Sequence, residues 1–430
     1  TGRVNLLKAL GDNLHRFPSE FPTLFDAMNE SAPGDTVGVE AGTVIAQSLT
    51  LPDRGIKFFG GYNADYTSRD PLGAPATIQG SLSSSALRFL GGVGPDTEVD
   101  GFVIQGGGGL AFSGIPYTGR YGGGIMVNGT SPTLRNLVVT GNSVGSAAEL
   151  GCGGGIALNG SNSLLENVTV RGNTSVFGGG VFAYQSTATL VGCTVEDNLA
   201  ITDNLAQPAR GGGIHAVASD LTLVDCNVSG HADLAEGGGV YLGSASSLDM
   251  TGGAIASNAA SGKGGGIFQD GGQLTMHRVA VTNNLKGAGA TFATGGGLYL
   301  RGVAASLDSL TVTGNTAHAG GGAALEACPD AVLTNSVLAG NTADIYGGGL
   351  YANGNTAVEL TGNTIAENAG TSAGAGGVYA TGGTFTVANT IIALNTGGAA
   401  FANGFALGGG AATFTCNDVF GNATADYSGV

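Results

Sequence analysis

Short groups of apolar residues recur along this chain, and glycines separate one group from the next. Each group follows a run of glycines whose last position is 124, 155, 180, 213, 239, 266, 297, 322, 349 or 377. Successive positions in this series are between 25 residues (Gly155 to Gly180) and 33 residues (Gly180 to Gly213) apart. A period in this range is typical of solenoids, in which each repeat stacks on its neighbours.

A second landmark follows each glycine run, namely an apolar residue, two further residues and then an asparagine. These asparagines are Asn142, Asn173, Asn198, Asn258, Asn284, Asn315, Asn341, Asn368 and Asn395, and His231 takes the same place once. This residue is always 18 or 19 positions after the last glycine, but 7 to 15 positions before the next such glycine. One arc of each coil therefore has a fixed length, and the insertions lie on the other side.

Two apolar columns run through the fixed arc, eight and three positions before the asparagine, as in Leu165 and Val170. Side chains alternate along a strand, so two inward positions separated by an odd number cannot share one straight strand. The position six before the asparagine is Gly, Asn or Asp in eight of ten repeats, and these residues adopt left-handed backbone most readily. A bend there gives three short strands per coil. The pattern predicts an all-β, right-handed parallel β-helix on the order of 60 Å long.

The first residues indicate a cap for one end of this solenoid. The apolar residues with the spacing of one helical face are Phe21, Leu24, Phe25 and Met28. They predict a short capping helix within residues 20–31, followed by the first strand at residues 36–39. The predicted organisation is an N-terminal segment with this helix (1–35), irregular first coils (36–121) and one continuous regular β-helix (122–430).

Composition narrows the classes of function. The 430 residues include 82 glycines and no tryptophan, and the net charge is −16, which disfavours nucleic acid and anionic lipid as partners. No apolar run is long enough for a transmembrane helix. The five cysteines contain no CxxC pair, and Cys193 and Cys226 share a core column, so they are predicted to be stacked buried thiols. No cofactor is indicated, and no calcium-binding GGxGxDxUx repeat is present.

The asparagine column has two interpretations. Repeated side-chain oxygens could form a ladder that binds metal ions or a ligand. Alternatively, buried amides at a coil corner bond the backbone and their own copies above and below, which satisfies groups that the turn leaves unpaired. The second interpretation is favoured.

An aromatic column follows the first inward residue of each coil, at a position that alternation places on the outer face. Its members are Phe182, His215, Tyr241, Phe268, Tyr299, Tyr351 and Tyr379, with Ala324 as an interruption. If the coils are in register, these side chains form one exposed stripe, which would be a contact site. The stripe could pack against sugar rings, a neighbouring rod, or the variable loops of the chain itself.

The next outer column contains Asp270, Arg301 and Glu326 on three consecutive coils. Two carboxylates about 5–10 Å apart are the catalytic groups of most glycoside hydrolases, so this row is the candidate catalytic site of a polysaccharide hydrolase or lyase. An arginine between two acids is also typical of a surface ion-pair ladder, which is the simpler interpretation.

Glycine pairs before an apolar residue, alternating with apolar-x-x-Asn, resemble the repeats of polymorphic outer-membrane proteins and related bacterial right-handed β-helix proteins. The segments Phe58-Phe59-Gly60-Gly61-Tyr62 and Cys416-Asn417-Asp418-Val419-Phe420-Gly421-Asn422 also fit secreted members. The resemblance implies export, surface display and an adhesive or structural role, and it brings no catalytic motif. The chain has Val, Ile or Leu where the polymorphic proteins prefer Phe.

These observations predict an extracellular or surface-displayed structural or adhesive β-helix. Its partners would be a glycan, a cell-surface ligand or like subunits, with assembly into an oligomer or fibre. The alternative is a carbohydrate-active β-helix enzyme that uses the Asp270–Arg301–Glu326 row.

Overall fold

The computed structural model describes residues 13–52, 54–92, 94–145, 149–202, 208–233, 236–287, 292–354, 357–370, 374–398 and 402–429. The fold is an all-β parallel solenoid, and its strands form three long sheets of 15, 14 and 14 strands. Each regular coil contributes one strand to each of these sheets. The apolar core lies between the three sheets.

The strands of sheet A are Leu14–Phe17, Thr36–Glu40, Lys57–Tyr62, Glu98–Asp100, Thr133–Arg135, Leu164–Glu166, Thr187–Val191, Asp220–Val224, Ser247–Thr251, Gln273–His277, Ala304–Asp308, Asp330–Thr334, Ala357–Thr361, Thr384–Ala388 and Ala411–Thr415. The strands of sheet B are Val44–Ile45, Ala76–Gln79, Phe102–Gln105, Val138–Thr140, Thr169–Arg171, Thr194–Glu196, Asn227–Ser229, Ala254–Ala256, Ala280–Thr282, Thr311–Thr313, Val337–Ala339, Thr364–Ala366, Ile391–Ala393 and Asp418–Phe420. The strands of sheet C are Leu49–Thr50, Leu87–Leu90, Ile125–Asn128, Ile156–Asn159, Val181–Tyr184, Ile214–Val217, Val240–Leu242, Ile267–Asp270, Leu298–Arg301, Ala323–Glu326, Leu350–Asn353, Val378–Thr381, Phe405–Leu407 and Tyr427–Ser428.

The predicted vertical register is confirmed. Leu165 pairs with Leu190, and Leu190 pairs with Leu223, in adjacent parallel strands of sheet A. All three side chains are buried in the core. Residues about 25 to 33 positions apart in the chain are therefore neighbours in space, so a property repeated in the sequence becomes a continuous column in the structure.

The predicted bend between sheets A and B is also confirmed. All ten residues six positions before the asparagine column have positive φ, from 48° at Asn136 to 70° at Gly362. Arg278 and Ser309 adopt this backbone as well, although neither residue type favours it. The backbone at this position is left-handed in every coil, whichever residue type occupies it.

The glycine runs mark the sharp turn into sheet C. Gly122, the first of its run, has a φ of 58°. At Gly124 there is no room for a side chain, because a Cβ atom there would lie 2.5 Å from Val139 Cγ1 and 2.8 Å from Gly155 O. The glycines thus allow the corner to close tightly against the core and the neighbouring coil.

The prediction of three strands per coil was incomplete. Short strands also follow the asparagine corner, at Thr174–Ser175, Leu199–Ala200, Ala232–Asp233, Ala259–Ala260, Leu285–Lys286, Thr316–Ala319, Thr342–Tyr346 and Ala369–Gly370. We call this fourth layer the outer ladder. A hairpin of Leu110–Ile115 and Tyr117–Tyr121, with Leu150–Cys152, continues it toward the N-terminus. These strands were missed because the segment that contains them varies in length from coil to coil.

The predicted capping helix is present at Leu24–Glu30, which we call α1. Thr23 caps it by accepting a hydrogen bond from Asp26 N, and Leu24, Ala27 and Met28 are buried against the core. Sheet A begins one strand earlier than predicted, at Leu14–Phe17 instead of residues 36–39. This strand was missed because an inward position is polar. The buried residue is His15, whose Nε2 lies 3.0 Å from Asp35 Oδ2.

A small apolar cavity of about 20 Å³ lies in the core beside Ala323 and Ala331. The equivalent inward residue in neighbouring coils is Leu298 or Leu350. We expect Ala323→Val to raise the unfolding free energy by about 1 kcal/mol, because it fills existing space. Ala352→Val is the matched control. Ala352 is fully buried and does not line this cavity, so overpacking should cost about 1–3 kcal/mol. Chemical denaturation measures both, and equal effects would contradict this account.

Candidate functional site

The aromatic column forms a continuous stack on the outer face of sheet C. The backbone register pairs Phe182 with His215, His215 with Tyr241, Tyr241 with Phe268 and Phe268 with Tyr299. The ring centroids of Tyr241 and Phe268 are 4.9 Å apart at 2°, and those of Phe268 and Tyr299 are 5.3 Å apart at 18°. The predicted stacking is therefore correct, and we call this column the aromatic ladder.

The ladder resumes beyond its interruption at Ala324. Tyr351 and Tyr379 are paired in register, and their ring centroids are 6.2 Å apart. Tyr346 comes from the outer ladder and stacks on both rings, at 4.5 Å from Tyr379 and 6.0 Å from Tyr351. The outer ladder thus contributes a third ring to this part of the stack.

The prediction that this stripe is exposed was wrong. Phe182, His215 and Tyr299 are 0% exposed, Phe268 is 2% exposed, Tyr241 and Tyr379 are each 8% exposed, and Tyr351 is half-buried. Of the three interpretations, the correct one is that the stripe packs against the variable segments of the chain itself. The stripe is the core of a second layer between sheet C and the outer ladder, so it offers little surface to a sugar or a second rod.

Both aromatic and basic side chains cover the ladder. The ring of Phe177 lies 5.1 Å from His215, and Tyr117 packs on Phe177 at 4.7 Å. The guanidinium of Arg210 lies 5.0 Å above the ring of Tyr241, and Lys263 Nζ lies 4.4 Å above Tyr299. Cations over ring faces add electrostatic attraction to the packing.

Burial changes the acid–base properties of the ladder. It raises the pKa of Tyr241 to about 12, and it lowers the pKa of His215 to about 3. His215 Nδ1 lies 3.3 Å from Arg210 O, whereas Nε2 has no hydrogen-bond partner within the described residues. His215 is therefore neutral at physiological pH and acts as one more flat ring in the stack.

Asp270, Arg301 and Glu326 lie on consecutive coils, as predicted. Arg301 donates two hydrogen bonds to Asp270, from Nε to Oδ1 at 2.8 Å and from Nη2 to Oδ2 at 2.5 Å. This contact with Arg301 lowers the pKa of Asp270. The arginine side chain is 46% exposed, so solvent screens the pair and its contribution to stability is below about 1 kcal/mol.

Glu326 has different partners. Its carboxylate accepts a hydrogen bond from the Tyr299 hydroxyl, and Lys263 Nζ lies 3.5 Å from Oε2. Lys263 also donates to the Tyr299 hydroxyl at 2.7 Å. Lys263, which the sequence did not single out, therefore belongs to the row. It comes from the segment that covers the ladder, three positions before the last glycine of its run, as do Arg210 and Tyr346.

These contacts limit what the row can do chemically. A hydrolytic pair needs one carboxylic acid that still carries its proton near neutral pH. Asp270 has a lowered pKa and an arginine on both oxygens, so it cannot be that acid. Two cations each engage one acid here, which fits the interpretation of surface ion pairs better than that of catalysis.

The asparagine column is a hydrogen-bonded ladder inside the rod. Asn284 Nδ2 donates to Ile255 O of the preceding coil at 2.9 Å and to Asn315 Oδ1 of the next coil at 3.0 Å. Asn284 Oδ1 accepts from Asn258 N at 3.1 Å and from Asn258 Nδ2 at 3.0 Å. Equivalent bonds recur along the column, and every asparagine of it is buried. These contacts match the structural interpretation.

His231 continues this ladder with an imidazole. Its Nδ1 accepts from Asn198 N at 3.0 Å, and Nε2 lies 3.0 Å from Val195 O, to which the neutral ring donates. Burial lowers the pKa of His231 to about 4. A second proton would sit on Nδ1, which lies 3.0 Å from Asn198 N and 3.1 Å from Asn198 O, so burial is the main reason that the ring stays neutral.

We expect His231 to make the rod acid-sensitive. Because the folded pKa lies below the ordinary value of 6.5, the stability tied to the neutral ring is complete above pH 6.5. It is lost as the pH falls from 6.5 toward 4, by up to about 3 kcal/mol. His231→Asn should remove this part of the pH dependence, which denaturation midpoints at pH 7 and pH 4.5 would measure. An unchanged pH dependence in the variant would contradict the assignment.

All five cysteines are free thiols, and only Cys416 is exposed. Cys193 and Cys226 are stacked and buried, as predicted. Cys193 N donates to Cys226 Sγ at 3.4 Å, and each thiol donates to a carbonyl of the coil below, Leu165 O at 3.4 Å and Leu190 O at 3.3 Å.

The outer side of sheet B carries a surface that the sequence analysis did not identify. Between strands Asn227–Ser229 and Ile391–Ala393, none of its outward positions is charged. We call these positions the uncharged face: Asn227, Ser229, Ala254, Ala256, Ala280, Thr282, Thr311, Thr313, Val337, Ala339, Thr364, Ala366, Ile391 and Ala393. Most are half-buried or exposed, and no other strand lies over them in the described ranges. The signal was available in the residues flanking the inward apolar column.

The neighbouring sheet A presents the opposite chemistry over the same coils. Its outward positions include the acidic residues Asp220, Asp249, Asp308, Asp330 and Glu359. Asp308 accepts hydrogen bonds from Thr334, Asn335 and Ser309, which lower its pKa. Negative charge therefore concentrates beside the uncharged face and not on it.

Within the described part of the chain, no group of three His, Cys, Asp or Glu side chains is arranged to hold a metal ion. Its one helix, α1, is far too short to cross a membrane.

Comparison with known proteins agrees with this architecture. The family described as the right handed beta helix region matches residues 96–255, 199–365 and 265–429. The chain belongs to the right-handed β-helix family. A comparison with curated protein sequences gave no match.

Several solved structures resemble this β-helix. The periplasmic alginate epimerase AlgG is 10% identical with a TM-score of 0.46, and the match covers 90% of this chain and 84% of that chain. The Azotobacter vinelandii mannuronan C-5 epimerase AlgE6 A-module is 12% identical with a TM-score of 0.28, covering 94% and 93%. Tailspike protein 3 of bacteriophage CBA120 is 11% identical with a TM-score of 0.34, covering 94% and 58%.

Proposed function

We propose that this β-helix is a structural or adhesive protein that works outside the cytoplasm and makes its contacts through the uncharged face. The observation that carries the proposal is the absence of charge from fourteen outward positions in a chain with a net charge of −16. Eight of the fourteen positions are Ala, Val or Ile, and contiguous apolar surface of this kind often marks an interaction site.

The layers beneath support a binding role because they hold the face in one shape. The asparagine ladder fixes the corner at one edge of sheet B, where Asn315 bonds both Val281 O and Asn341 Oδ1. Inward residues such as Val281, Val312 and Leu338 pack in the core directly behind the face. A surface that is already ordered loses little conformational entropy on binding.

The charge distribution limits the class of partner. Polyanions, including nucleic acids and acidic polysaccharides, are repelled by the overall charge of −16 and by the acidic rows of sheet A. An uncharged, extended partner fits the face better, either a neutral glycan or a like subunit. Threonine hydroxyls at Thr282, Thr311, Thr313 and Thr364 can donate or accept hydrogen bonds, while the alanines let a partner approach closely.

A carbohydrate-active enzyme is the second candidate function. It rests on the placement of Asp270, Arg301 and Glu326 on consecutive coils beside a buried tyrosine. The bidentate Arg301–Asp270 contact weighs against it, because it keeps Asp270 from acting as the general acid and occupies both carboxylate oxygens that a base or nucleophile would use.

Incubation with cellulose, chitin, alginate and polygalacturonate tests both candidates. We expect neither new reducing ends nor ultraviolet-absorbing unsaturated products, and product formation that Arg301→Ala abolishes would overturn the non-catalytic proposal. Retention on the two insoluble neutral polymers, together with self-association, should weaken at least tenfold in the double variant Thr311→Lys/Thr313→Lys. The matched control is Thr275→Lys on the outer side of sheet A. Equal binding by the double variant and the control would contradict the proposed contact face.

A further inference from the structure

The uncharged face continues as a strip along nearly the whole rod. Its first column stays uncharged in every strand of sheet B from Val44 to Ile391, and the first charge comes at Asp418 in the last strand. In the second column the charged residues before that point are Arg171 and Glu196. They pair across adjacent strands, so their charges offset each other.

We propose that this strip binds a second copy of the same chain, so that two rods pack side by side through their B sheets. The inference rests on the proposed function, because it names the partner of the same contact face. Three observations support a like subunit, namely the area of the strip, the distribution of charge and the shapes of the side chains.

The area is sufficient for a stable interface. Strands spaced 4.8 Å apart make the strip about 60 Å long, and a three-residue strand with its flanking turns makes it about 15 Å wide. The product, about 900 Å² on each copy, matches the roughly 800 Å² per partner of a standard interface. The flanking turns carry the exposed charges of Asp225 and Arg278 on one side and of Asp197 and Glu367 on the other, and these residues form the polar rim of the strip.

The charge distribution favours this face over the others for two copies of one acidic chain. Each copy carries −16, so any contact through sheet A would bring its acidic rows together. The outer side of sheet C is already covered by the outer ladder. Sheet B is the long sheet on which two copies can place mainly uncharged columns opposite each other.

The side chains also suit sheet-on-sheet packing. Val337 and Ile391 are 39% and 41% exposed and project from the first column. The smaller Thr364 lies between them, and Thr311 precedes Val337. Projecting and small side chains can interdigitate when two sheets pack about 10 Å apart, as in a β-sandwich. A two-fold axis makes the strip self-complementary, because each residue then meets the same surface on its partner.

Light scattering coupled to size-exclusion chromatography tests the inference. We expect the wild type to have twice the monomer mass at micromolar concentration. The dimer dissociation constant should rise at least tenfold in Thr311→Lys/Thr313→Lys and stay unchanged in Thr275→Lys. Circular dichroism confirms that the variants are folded. A monomeric wild type whose retention on cellulose or chitin still depends on Thr311 and Thr313 would overturn the dimer but keep the contact face. A dimer that the double variant leaves intact would overturn the assignment of sheet B as the dimer interface.

Discussion

Replacing Asn284 by alanine should lower the unfolding free energy by about 4 kcal/mol or more. The change removes four hydrogen bonds in a buried corner: Asn258 N loses its acceptor, and Ile255 O, Asn258 Nδ2 and Asn315 Oδ1 each lose one bond. Each unsatisfied buried group costs about 1–3 kcal/mol. Chemical denaturation followed by circular dichroism measures the loss.

Two further variants make this test specific. Asn162→Ala removes an exposed asparagine side chain, and we expect a change within about 0.5 kcal/mol. Asn284→His should recover part of the lost stability at neutral pH, because the His231 imidazole accepts from Asn198 N and donates to Val195 O, both in the preceding coil. If Asn284→Ala is as stable as Asn162→Ala, the asparagine column does not stabilise the rod.

Phe268→Ala should lower the unfolding free energy by about 3–5 kcal/mol. The phenyl ring is 2% exposed and lies between Tyr241 and Tyr299 in the aromatic ladder. Its removal leaves a cavity under the outer ladder and breaks two ring stacks. The denaturant midpoint at constant pH reports the effect.

The matched control is Phe292→Ala, since Phe292 is 78% exposed. That change should cost less than about 0.5 kcal/mol. The pair distinguishes a buried ladder from an exposed contact stripe, because truncating an exposed ring would reduce binding without destabilising the fold. Similar small effects at Phe268 and Phe292 would therefore contradict the placement of the aromatic column inside a second layer.

The sequence was sufficient for the architecture because each coil repeats the same physical constraints. The inward column of Leu165, the bend at Asn136 and the corner at Asn142 each need one class of residue at a fixed spacing. Such positions can be aligned by counting, and the structure confirms all three. Leu14–Phe17 escaped this reasoning because its inward position is His15, whose polarity is offset by Asp35.

The sequence could not predict whether the aromatic column is exposed to solvent. Alternation along Ile267–Asp270 correctly turns Phe268 away from the first core, but it cannot tell whether another layer lies outside. Phe177 and Tyr346 in that layer each lie three positions before the last glycine of a run, but this column mixes aromatic, charged and small residues and so shows no pattern in the sequence. The same mixture hid Lys263, whose contact with Glu326 changes the interpretation of the charged row.

Cysteine cross-linking on sheet B tests the stacking of coils most directly. In a Cys416→Ser background, we expect Thr282→Cys/Thr313→Cys to form a disulfide under mild oxidation, because these residues are paired in adjacent strands. Thr282→Cys/Ala339→Cys should not form one, because Ala339 lies one strand further away. Mass spectrometry of the digested protein identifies the linked peptides. A bond in the second pair, or none in the first, would contradict the register on which the ladders and the contact face depend.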